Sequence, residues 1–399
     1  MERVYLDHNA TTPVDAYVLD AVCAALRDEF GNASSVHAYG QRAKARLDDA
    51  RERVAALLGG QPSEVIFTSG GTEADNLALR GVAELRAATG RRHLVASAIE
   101  HEAILATLRQ MEKRGWSVTL VAPDASGVVD PDAVASACTD ETALVSVMLA
   151  NNEVGTVQPV AEIARRVRAR SRDVIVHTDA VQAVGRLPID VRALDVDLLA
   201  LSGHKIYGPK GVGALWVRRG TRLLATATGG RQERSRRAGT ENVPGIIGLG
   251  VAASRAKERL QEDTARIAAL RDALESGIVA RVDRVHVNGG EAPRVANTTN
   301  IGFEGIEAES LLIALDLEGI AVSTGSACSS GTLEPSHVLK AMGLPLHRTQ
   351  NALRISLGRG TTQAHVDRLL DVLPATVARL RLVTDRRPAA AAGANSRGH

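Results

Sequence analysis

The chain of 399 residues is long enough for two domains, each with its own hydrophobic core. Its composition, 45% hydrophobic and 24% charged, is typical of a soluble globular protein, and a net charge of +2 gives no general sign of a nucleic-acid or membrane-binding protein. No apolar run approaches the ~20 residues that span a bilayer. The start, MERVYLDHNATTP, lacks a basic region followed by an apolar stretch, so we expect no secretory signal and a cytoplasmic protein.

The first two-thirds of the chain alternate short apolar segments with amphipathic helical patterns. This alternation predicts an α/β fold, in which helices cover both faces of a mostly parallel sheet. Ligands of such sheets bind beyond the carboxyl ends of the strands, and most polar clusters of this chain fall there. The strand-like segments are VIFTSG, HLVASAIE, ALVSVMLAN, VIVHTDA, DLLALSG and GALWVRRG.

The pattern changes after a long helical stretch that begins near VPGIIGLG. Shorter strands such as NTTNIGF and ALRISLG mix with helices there, which predicts a smaller α+β domain that the first residues of the chain join. We assign residues 15–257 to a large domain and residues 1–14 and 258–384 to the small one. Residues 385–399 are low in complexity and predict a disordered tail.

Four strand ends carry polar side chains with possible chemistry. The Ser-Gly-Gly-Thr turn at 69–72 runs into a helix, so it is either a phosphate-binding helix N-terminus or an ordinary turn. His101 either caps a helix or offers a flat ring to a planar cofactor. Asp179 ends an apolar strand, where a carboxylate needs a cationic partner or a helix N-terminus, and a protonated pyridine nitrogen would serve. Asn151 and Asn152 end another strand and could cap a helix instead.

Lys205 stands on a glycine-lined turn, SGHKIYGPKG, between two apolar segments. The chain has 48 Lys+Arg but only six lysines, and a desolvated lysine, unlike arginine, can lose its proton. The alternative is a lysine that pairs with a carboxylate or caps a carbonyl. A lysine able to form a Schiff base, an aspartate for a ring nitrogen, a phosphate-binding turn and a stacking histidine together predict a pyridoxal phosphate site.

The three cysteines form neither a disulfide framework nor a metal-binding spacing. Cys23 and Cys138 occupy apolar helical positions and predict small buried side chains. Cys328 lies in a Gly/Ser/Thr-rich stretch that predicts an exposed loop, so it is the one thiol placed to react.

These motifs together resemble the cysteine desulfurases, of the class V aminotransferase group of fold type I pyridoxal phosphate enzymes. The resemblance runs from YLDHNATTP to ISLGRGTT, and SGHKIYGPKG followed by SACSSGTLEPS is its most specific part. It implies a homodimer that removes sulfur from L-cysteine, gives L-alanine and leaves a persulfide on Cys328. The implied partners are sulfur acceptors in iron–sulfur cluster assembly or tRNA thiolation. No intrinsic metal is implied, although Cys328 would contact a nascent cluster on a partner.

The resemblance also implies individual roles. Lys205 would hold the cofactor and then act as acid and base, while Asp179 would pair with the pyridine nitrogen. Gln182 and Asn152 would lie at the ring oxygen, Asn152 also near the substrate, and His101 would stack on the ring. Arg354 would clamp the substrate carboxylate through a fork-shaped ion pair. The implied phosphate ligands are Gly71, Thr72, Ser202, His204 and, from the neighbouring subunit, Thr240.

Two departures and several alternatives accompany the resemblance. The phosphate turn reads GGTE where an alanine often precedes the threonine, and the tail lacks the longer ordered C-terminus with which some relatives dock a scaffold. The alternatives are a selenocysteine or cysteine-sulfinate lyase, an aminotransferase or β-lyase in which Cys328 is incidental, and a non-catalytic scaffold. We interpret the cluster of Arg231, Arg234, Arg236 and Arg237 as a solvated or dimer-interface surface rather than a nucleic-acid site.

Overall fold

The computed structural model of the chain describes residues 3–325 and 335–385. Within this part of the chain, none of the helices is both long and apolar enough to cross a membrane. The strands are β1 Val4–Tyr5, β2 Val65–Thr68, β3 His93–Ser97, β4 Ser117–Val121, β5 Thr142–Ser146, β6 Ile175–Asp179, β7 Leu198–Ser202, β8 Gly213–Val217, β9 Val285–Val287, β10 Thr298–Phe303, β11 Ile320–Ala321 and β12 Ala352–Ser356. The helices are α1 Ala16–Asp28, α2 Ala38–Leu58, α3 Gly71–Ala87, α4 Glu102–Glu112, α5 Pro131–Ala137, α6 Val160–Arg170, α7 Gln232–Ser235, α8 Val243–Arg281, α9 Ala308–Leu317, α10 His337–Ala341, α11 Leu346–Thr349 and α12 Gln363–Asp385.

The large sheet has seven strands in the order β2-β8-β7-β6-β5-β3-β4. Strands β3 to β7 all run parallel to one another. Strand β8 runs antiparallel to both of its neighbours, β2 and β7. Neighbouring residues point to opposite faces. Leu94 and Leu144 therefore pack with α3 and α4, while Val95 and Val145 pack with α2, α6 and α8. The α/β fold predicted from the sequence is confirmed.

A second, smaller group of elements has its own core. Strands β12, β10 and β9 form an antiparallel sheet, and β1 pairs in parallel with β11, which brings the start of the chain to this part of the molecule. Helix α8 is continuous over 39 residues and runs through our proposed domain boundary at 257–258. Its first half packs in the core of the large sheet, whereas Ile267, Leu274 and Ile278 pack in the second core. The domain boundaries remain a prediction, and the proposed tail lies outside the described residues except for Asp385.

Candidate active site

A cavity of about 290 Å³ lies at the carboxyl ends of β6 and β7, beside the N-termini of α3 and α4. Ligands of parallel α/β sheets typically bind in this position, beyond the carboxyl ends of the strands. Nine residues predicted from the sequence line it together: Gly71, Thr72, His101, Asn152, Asp179, Gln182, Ser202, His204 and Lys205. The cavity is also lined by Ala10, Asp75, Met148 and Val181, which the sequence analysis did not select.

The phosphate turn predicted at 69–72 links β2 to α3. Gly70 has φ +158° and ψ −175°, a conformation that is nearly restricted to glycine. Helix α3 has no side-chain N-cap, so its first N–H groups face the cavity with the positive end of the helix dipole. A Cβ on Gly71 would lie 2.7 Å from Cγ2 of Val181. The glycine that departs from the usual alanine therefore has a packing reason in this chain.

His101 is the N-cap residue of α4. Its Nδ1 accepts a hydrogen bond from the N–H of Ala103 at 3.1 Å, while the ring lines the cavity. The helix-capping alternative is thus correct, and it leaves the ring available. Because Nδ1 is an acceptor, the neutral ring carries its proton on Nε2.

Asp179 ends β6 and is 6% exposed. Its Oδ1 accepts a hydrogen bond from the N–H of Val181 at 2.8 Å. Within residues 3–325 and 335–385, no lysine, arginine or histidine lies within ion-pair distance of this carboxylate. Burial raises the pKa of Asp179, and the nearby His101 and Lys205 oppose that rise. The carboxylate therefore lacks the cationic partner that a buried charge requires.

Lys205 follows β7 on a short 3₁₀ turn, and its Nζ donates hydrogen bonds to the carbonyls of Asn9 and, at 2.8 Å, Ala10. Carbonyl capping, one of the two alternatives, is therefore observed. Burial, with the charges of Arg186 and Arg354, lowers the pKa of Lys205 to about 7. An appreciable fraction of this amine is unprotonated near neutral pH, as a nucleophilic lysine requires.

His204 lies next to Lys205 on the same turn. Burial and the neighbouring Lys205 lower the pKa of His204 to about 4, so its ring is neutral at pH 7. Its Nδ1 lies 3.1 Å from Oγ1 of Thr11. An anion at the α3 turn would meet a neutral hydrogen-bonding ring at His204.

The N-terminal segment contributes contacts that the sequence analysis missed. The carbonyl of Asn9 accepts hydrogen bonds from Lys205 and, at 3.0 Å, from Nε2 of Gln182. Arg186 donates to Oε1 of Gln182 and fixes the other end of that amide. Only the motif YLDHNATTP signalled this segment, and nothing in its local pattern indicates contact with the lysine turn.

Arg354 on β12 connects the small core to the cavity. Its guanidinium donates to the carbonyl of Asn152 at 3.0 Å and forms an ion pair with Asp7 at 2.7 Å. Arg354 is 5% exposed, and its Nε has no partner among the described residues. Arg354 is therefore not among the residues that line the cavity. It contacts Asn152, which is, and the carboxylate of Asp7 holds its guanidinium.

The two ends of the segment that contains Cys328 meet at Glu153, which follows Asn152. Glu153 is buried and accepts a hydrogen bond from Oγ of Ser336 at 2.5 Å, and a Cβ on Gly325 would lie 3.3 Å from Cγ of Glu153. His337 lies 3.9 Å from Glu153 through Nδ1. Cys328 itself lies outside the described residues.

The remaining predicted positions are elsewhere. Thr240 is exposed and does not line the cavity. Cys138 is buried as predicted. The same prediction is wrong for Cys23, which is exposed because it lies on a different face of α1 from the buried Val18 and Ala25. Among the described residues, no group of three His, Cys, Asp or Glu could hold a metal ion.

Comparison with known proteins identifies the family. The aminotransferase class-V profile matches residues 4–369. The chain belongs to the class V aminotransferase family. This class V chain is 48% identical over 384 residues to the cysteine desulfurase of Trichormus azollae, covering 96% of the chain and 95% of that relative. It is 46% identical over 387 residues to the cysteine desulfurase IscS of Methanosarcina thermophila, covering 97% and 95%.

Solved structures support the same assignment. A NifS-like protein superposes on this class V chain with a TM-score of 0.89 at 38% identity, covering 95% of the chain and 100% of that protein. SspA, solved in complex with cysteine, superposes with a TM-score of 0.80 at 36% identity, covering 90% and 100%. The resemblance to cysteine desulfurases and the enzyme class predicted from the motifs are confirmed by these near full-length matches.

Proposed function

We propose that the chain catalyses the pyridoxal phosphate-dependent conversion of L-cysteine to L-alanine, with transfer of the sulfur atom to Cys328. The names of the relatives and the cysteine complex of SspA support the reaction and the substrate. The observation that carries the proposal is the cavity itself. It places a lysine with a pKa near 7 and an unpaired buried carboxylate, Asp179, around one space beside a helix N-terminus.

Pyridoxal phosphate fits the residues that are present. The open N-terminus of α3 and the neutral His204 suit its phosphate, and the unpaired Asp179 suits a protonated ring nitrogen. The ring of His101 provides a face for stacking, and Gln182 and Asn152 supply amide groups at the ring oxygen. When bound, this cofactor supplies an electron sink for the carbanion formed at the substrate Cα.

The chain supplies the proton transfers and the sulfur acceptor. The Lys205 amine, with its lowered pKa, removes the proton from the substrate Cα and later returns a proton to carbon. The Cys328 thiolate attacks the sulfur of cysteine, so an S–S bond forms while the Cβ–S bond breaks. The electron pair of the broken bond stays on the carbon skeleton, which leaves as alanine after protonation. In balance, cysteine and a thiol give alanine and a persulfide.

Arg354 clamps the substrate carboxylate in this proposal. Its fork of N–H donors matches a carboxylate in geometry, and its bond to the Asn152 carbonyl aims it at the cavity. Asp7 occupies part of the guanidinium, so the substrate carboxylate shares Arg354 with Asp7.

A homodimer accounts for two surface features. Thr240 is exposed and lies outside the cavity of its own chain, as a ligand for the neighbouring subunit's phosphate must. Large apolar side chains are also exposed on and after α1, as at subunit interfaces. They are Tyr17, Leu26, Phe30, Val36 and Tyr39.

Subunit mixing tests the dimer. Subunits with Lys205→Ala and with Thr240→Ala are each inactive or impaired alone. Mixing them restores activity if Thr240 serves the partner's site, because one site of the mixed dimer then has both residues. Unrestored activity in a verified mixed dimer contradicts this role.

The sulfur acceptor and the cell compartment belong to the proposal as well. The IscS name of one relative supports iron–sulfur cluster assembly as a destination of the sulfur, with tRNA thiolation as the other. A reactive thiol at Cys328 requires a reducing compartment, which supports the cytoplasm. Capture of proteins that take sulfur from the Cys328 persulfide tests the acceptor, and cell fractionation tests the compartment.

Substitution of the three cysteines tests the reaction. Cys328→Ser keeps the shape but removes an effective nucleophile, so sulfide and alanine release from cysteine should both stop. Cys23→Ser and Cys138→Ser are matched controls and should retain turnover. Sulfide release at the parental rate by Cys328→Ser would show that the protein is a lyase without a persulfide.

A further inference from the structure

Two aspartates line the cavity, and they differ in what surrounds them. Asp179 ends β6, and Asp75 lies on α3, one turn after Gly71. Asp75 is even more buried than Asp179, with 1% against 6% exposure. Two carboxylates in one buried space repel each other, so both cannot ionise without a large cost. This cost favours one protonated and one ionised carboxyl group.

The neighbours of Asp75 indicate which one. Its Oδ1 has no hydrogen-bond partner among the described residues, and neither has Nε2 of His177. These two atoms lie 3.5 Å apart, and both residues are almost completely buried. His177 lies two residues before Asp179 on β6, and its Nδ1 lies 2.9 Å from Oγ of Ser146 on β5. Asp75, His177 and Ser146 therefore form a buried row beneath the cavity.

Two distributions of protons would pair the atoms of this row, and the repulsion between the two carboxyl groups favours the one in which Asp75 is neutral. Burial lowers the pKa of His177 to about 3, so the ring is neutral, and burial with the charges of Asp179 and Glu100 raises the pKa of Asp75. In the favoured distribution, a protonated Asp75 would donate to Nε2 of His177, and Nδ1–H of the same ring would donate to Oγ of Ser146. In the other, Nε2–H would donate to an ionised Asp75 and place a second negative charge in the cavity. Either distribution pairs the two atoms that have no partner, as buried polar groups require, so the charge beside Asp179 decides between them. Asp179 has no such partner, only the N–H of Val181.

We propose that Asp75 is a positioning residue, a neutral carboxylic acid that faces His177, so that Asp179 is the charged one of the two aspartates that line the cofactor cavity. The proposal rests on the proposed function, because it concerns the charge that faces the cofactor's ring nitrogen. It assigns opposite protonation states to two aspartates in the same cavity. An uncharged Asp75 preserves the surroundings of the cofactor without competing for its ring nitrogen.

Matched Asp→Asn substitutions test the assignment. Asn is neutral, and its amide donates to His177 as the protonated acid does, so Asp75→Asn should change the cofactor dissociation constant less than about twofold. Asp179→Asn removes a charged hydrogen bond and should weaken cofactor binding by roughly tenfold or more. The visible spectrum of the loaded Asp75→Asn enzyme should match that of the parent. An Asp75→Asn loss as large as that of Asp179→Asn would overturn the proposal.

Infrared spectroscopy of full-length protein labelled with ¹³C-aspartate provides a readout that needs neither turnover nor cofactor. The band of a protonated carboxyl group should disappear in Asp75→Asn and should persist in the parent when cofactor is added. Loss of the Asp75 band in the parent on adding cofactor would overturn the proposal. Failure to bind cofactor with the Asp75 band intact would instead contradict the proposed function alone.

Nitrogen NMR of His177 in the parent protein decides the matter without any variant. A neutral ring protonated on Nδ1 supports the proposal. A doubly protonated ring, or a neutral ring protonated on Nε2, means that His177 donates to an ionised Asp75 and overturns it. This measurement applies even if Asp75→Asn does not fold.

Discussion

The cavity has an acidic side, Asp75 and Asp179, and a basic side, Lys205 and His204, and burial acts on them with opposite sign. It raises the pKa values of the two carboxyl groups and lowers those of Lys205 and His204, to about 7 and about 4. Both shifts favour the uncharged form. A cavity with these properties suits a ligand that brings its own charges: a cation for the acidic side, and an anion for the helix N-terminus.

The two sides also differ in how their groups are held. On the acidic side, Asp75 faces His177 and Asp179 accepts from a backbone N–H, so each carboxyl group has one local partner. On the basic side, Lys205 donates to the carbonyls of Asn9 and Ala10, and the charges of Arg186 and Arg354 act on it from farther away. The acidic side is thus set by the large sheet and by helix α3, which packs on it. The basic side also depends on the N-terminal segment and on Arg354 of β12, which lie outside that sheet.

Removing the amine of the basic side should have the largest effect. Lys205→Ala should abolish turnover and the visible absorbance of lysine-bound cofactor, because no other amine in the described part of the cavity can replace it. Lys205→Arg should be equally inactive, since its side chain keeps the charge but cannot lose the proton. Lys210→Ala, at an exposed lysine of the same turn, is the control and should keep parental kinetics. An active Lys205→Ala enzyme would place the anchor elsewhere.

Changing the clamp should have the next largest effect. Arg354→Lys keeps the charge but loses the fork, so we expect KM for cysteine to rise about 10- to 100-fold, the equivalent of one or two charged hydrogen bonds. Steady-state kinetics measure this change, and cofactor affinity should remain close to parental. An unchanged KM would show that the substrate carboxylate binds elsewhere.

Changing the packing of the predicted phosphate turn should have a smaller effect. In Gly71→Ala, the new Cβ would approach Cγ2 of Val181 to 2.7 Å, so the turn or Val181 must shift. We expect cofactor affinity to fall by roughly tenfold, the effect of about 1.4 kcal/mol. Equilibrium titration of the apoprotein with cofactor measures it. Val181→Ala added to Gly71→Ala should restore most of the loss, and a double variant as weak as the single one would refute the packing explanation.

A further effect, of similar size, concerns the stability of the cofactor-free protein. Since the folded-state pKa of Lys205 lies near 7 and the usual value is 10.5, protonation costs stability as pH falls from about 10.5 to about 7, and the cost stays constant below. Lys205→Met should therefore raise Tm by a few degrees, corresponding to about 1 to 2 kcal/mol, at pH 7 and below. The gain should fade toward pH 10.5. Lys210→Met is the control, and an equal gain in it would show that burial of the Lys205 amine is not the cause.

The sequence predicted that residues following strands would lie together, and those residues line one cavity. Asp179 and Lys205 lie where an apolar run meets a turn, so the rule for parallel sheets placed them at one edge. Asp75 was missed because an acidic residue in an amphipathic helix normally faces solvent, and its burial depends on how α3 packs on β6. The contacts of Asn9 with Lys205 and of Asp7 with Arg354 join residues that are 196 and 347 positions apart in the chain. Local patterns carry no information on such contacts.

His101 shows a second limit of sequence reasoning. A helix cap and a cofactor-stacking ring were treated as alternatives, but the side chain caps the helix through Nδ1 and lines the cavity as well. The backbone of α7, a short turn rather than a regular helix at Glu233, Arg234 and Ser235, was not predicted either. All three have positive φ, which non-glycine residues rarely adopt, and a buried ion pair between Arg51 and Glu233 holds the turn.

Mass spectrometry after a single turnover tests the desulfurase assignment most directly. The loaded protein is mixed with one equivalent of L-cysteine, without any sulfur acceptor or reductant, and then digested under conditions that preserve persulfides. We expect one additional sulfur atom on the peptide that contains Cys328, with an equal amount of alanine in solution. An unmodified Cys328 peptide, with the sulfur recovered as free sulfide and pyruvate in place of alanine, would contradict the assignment.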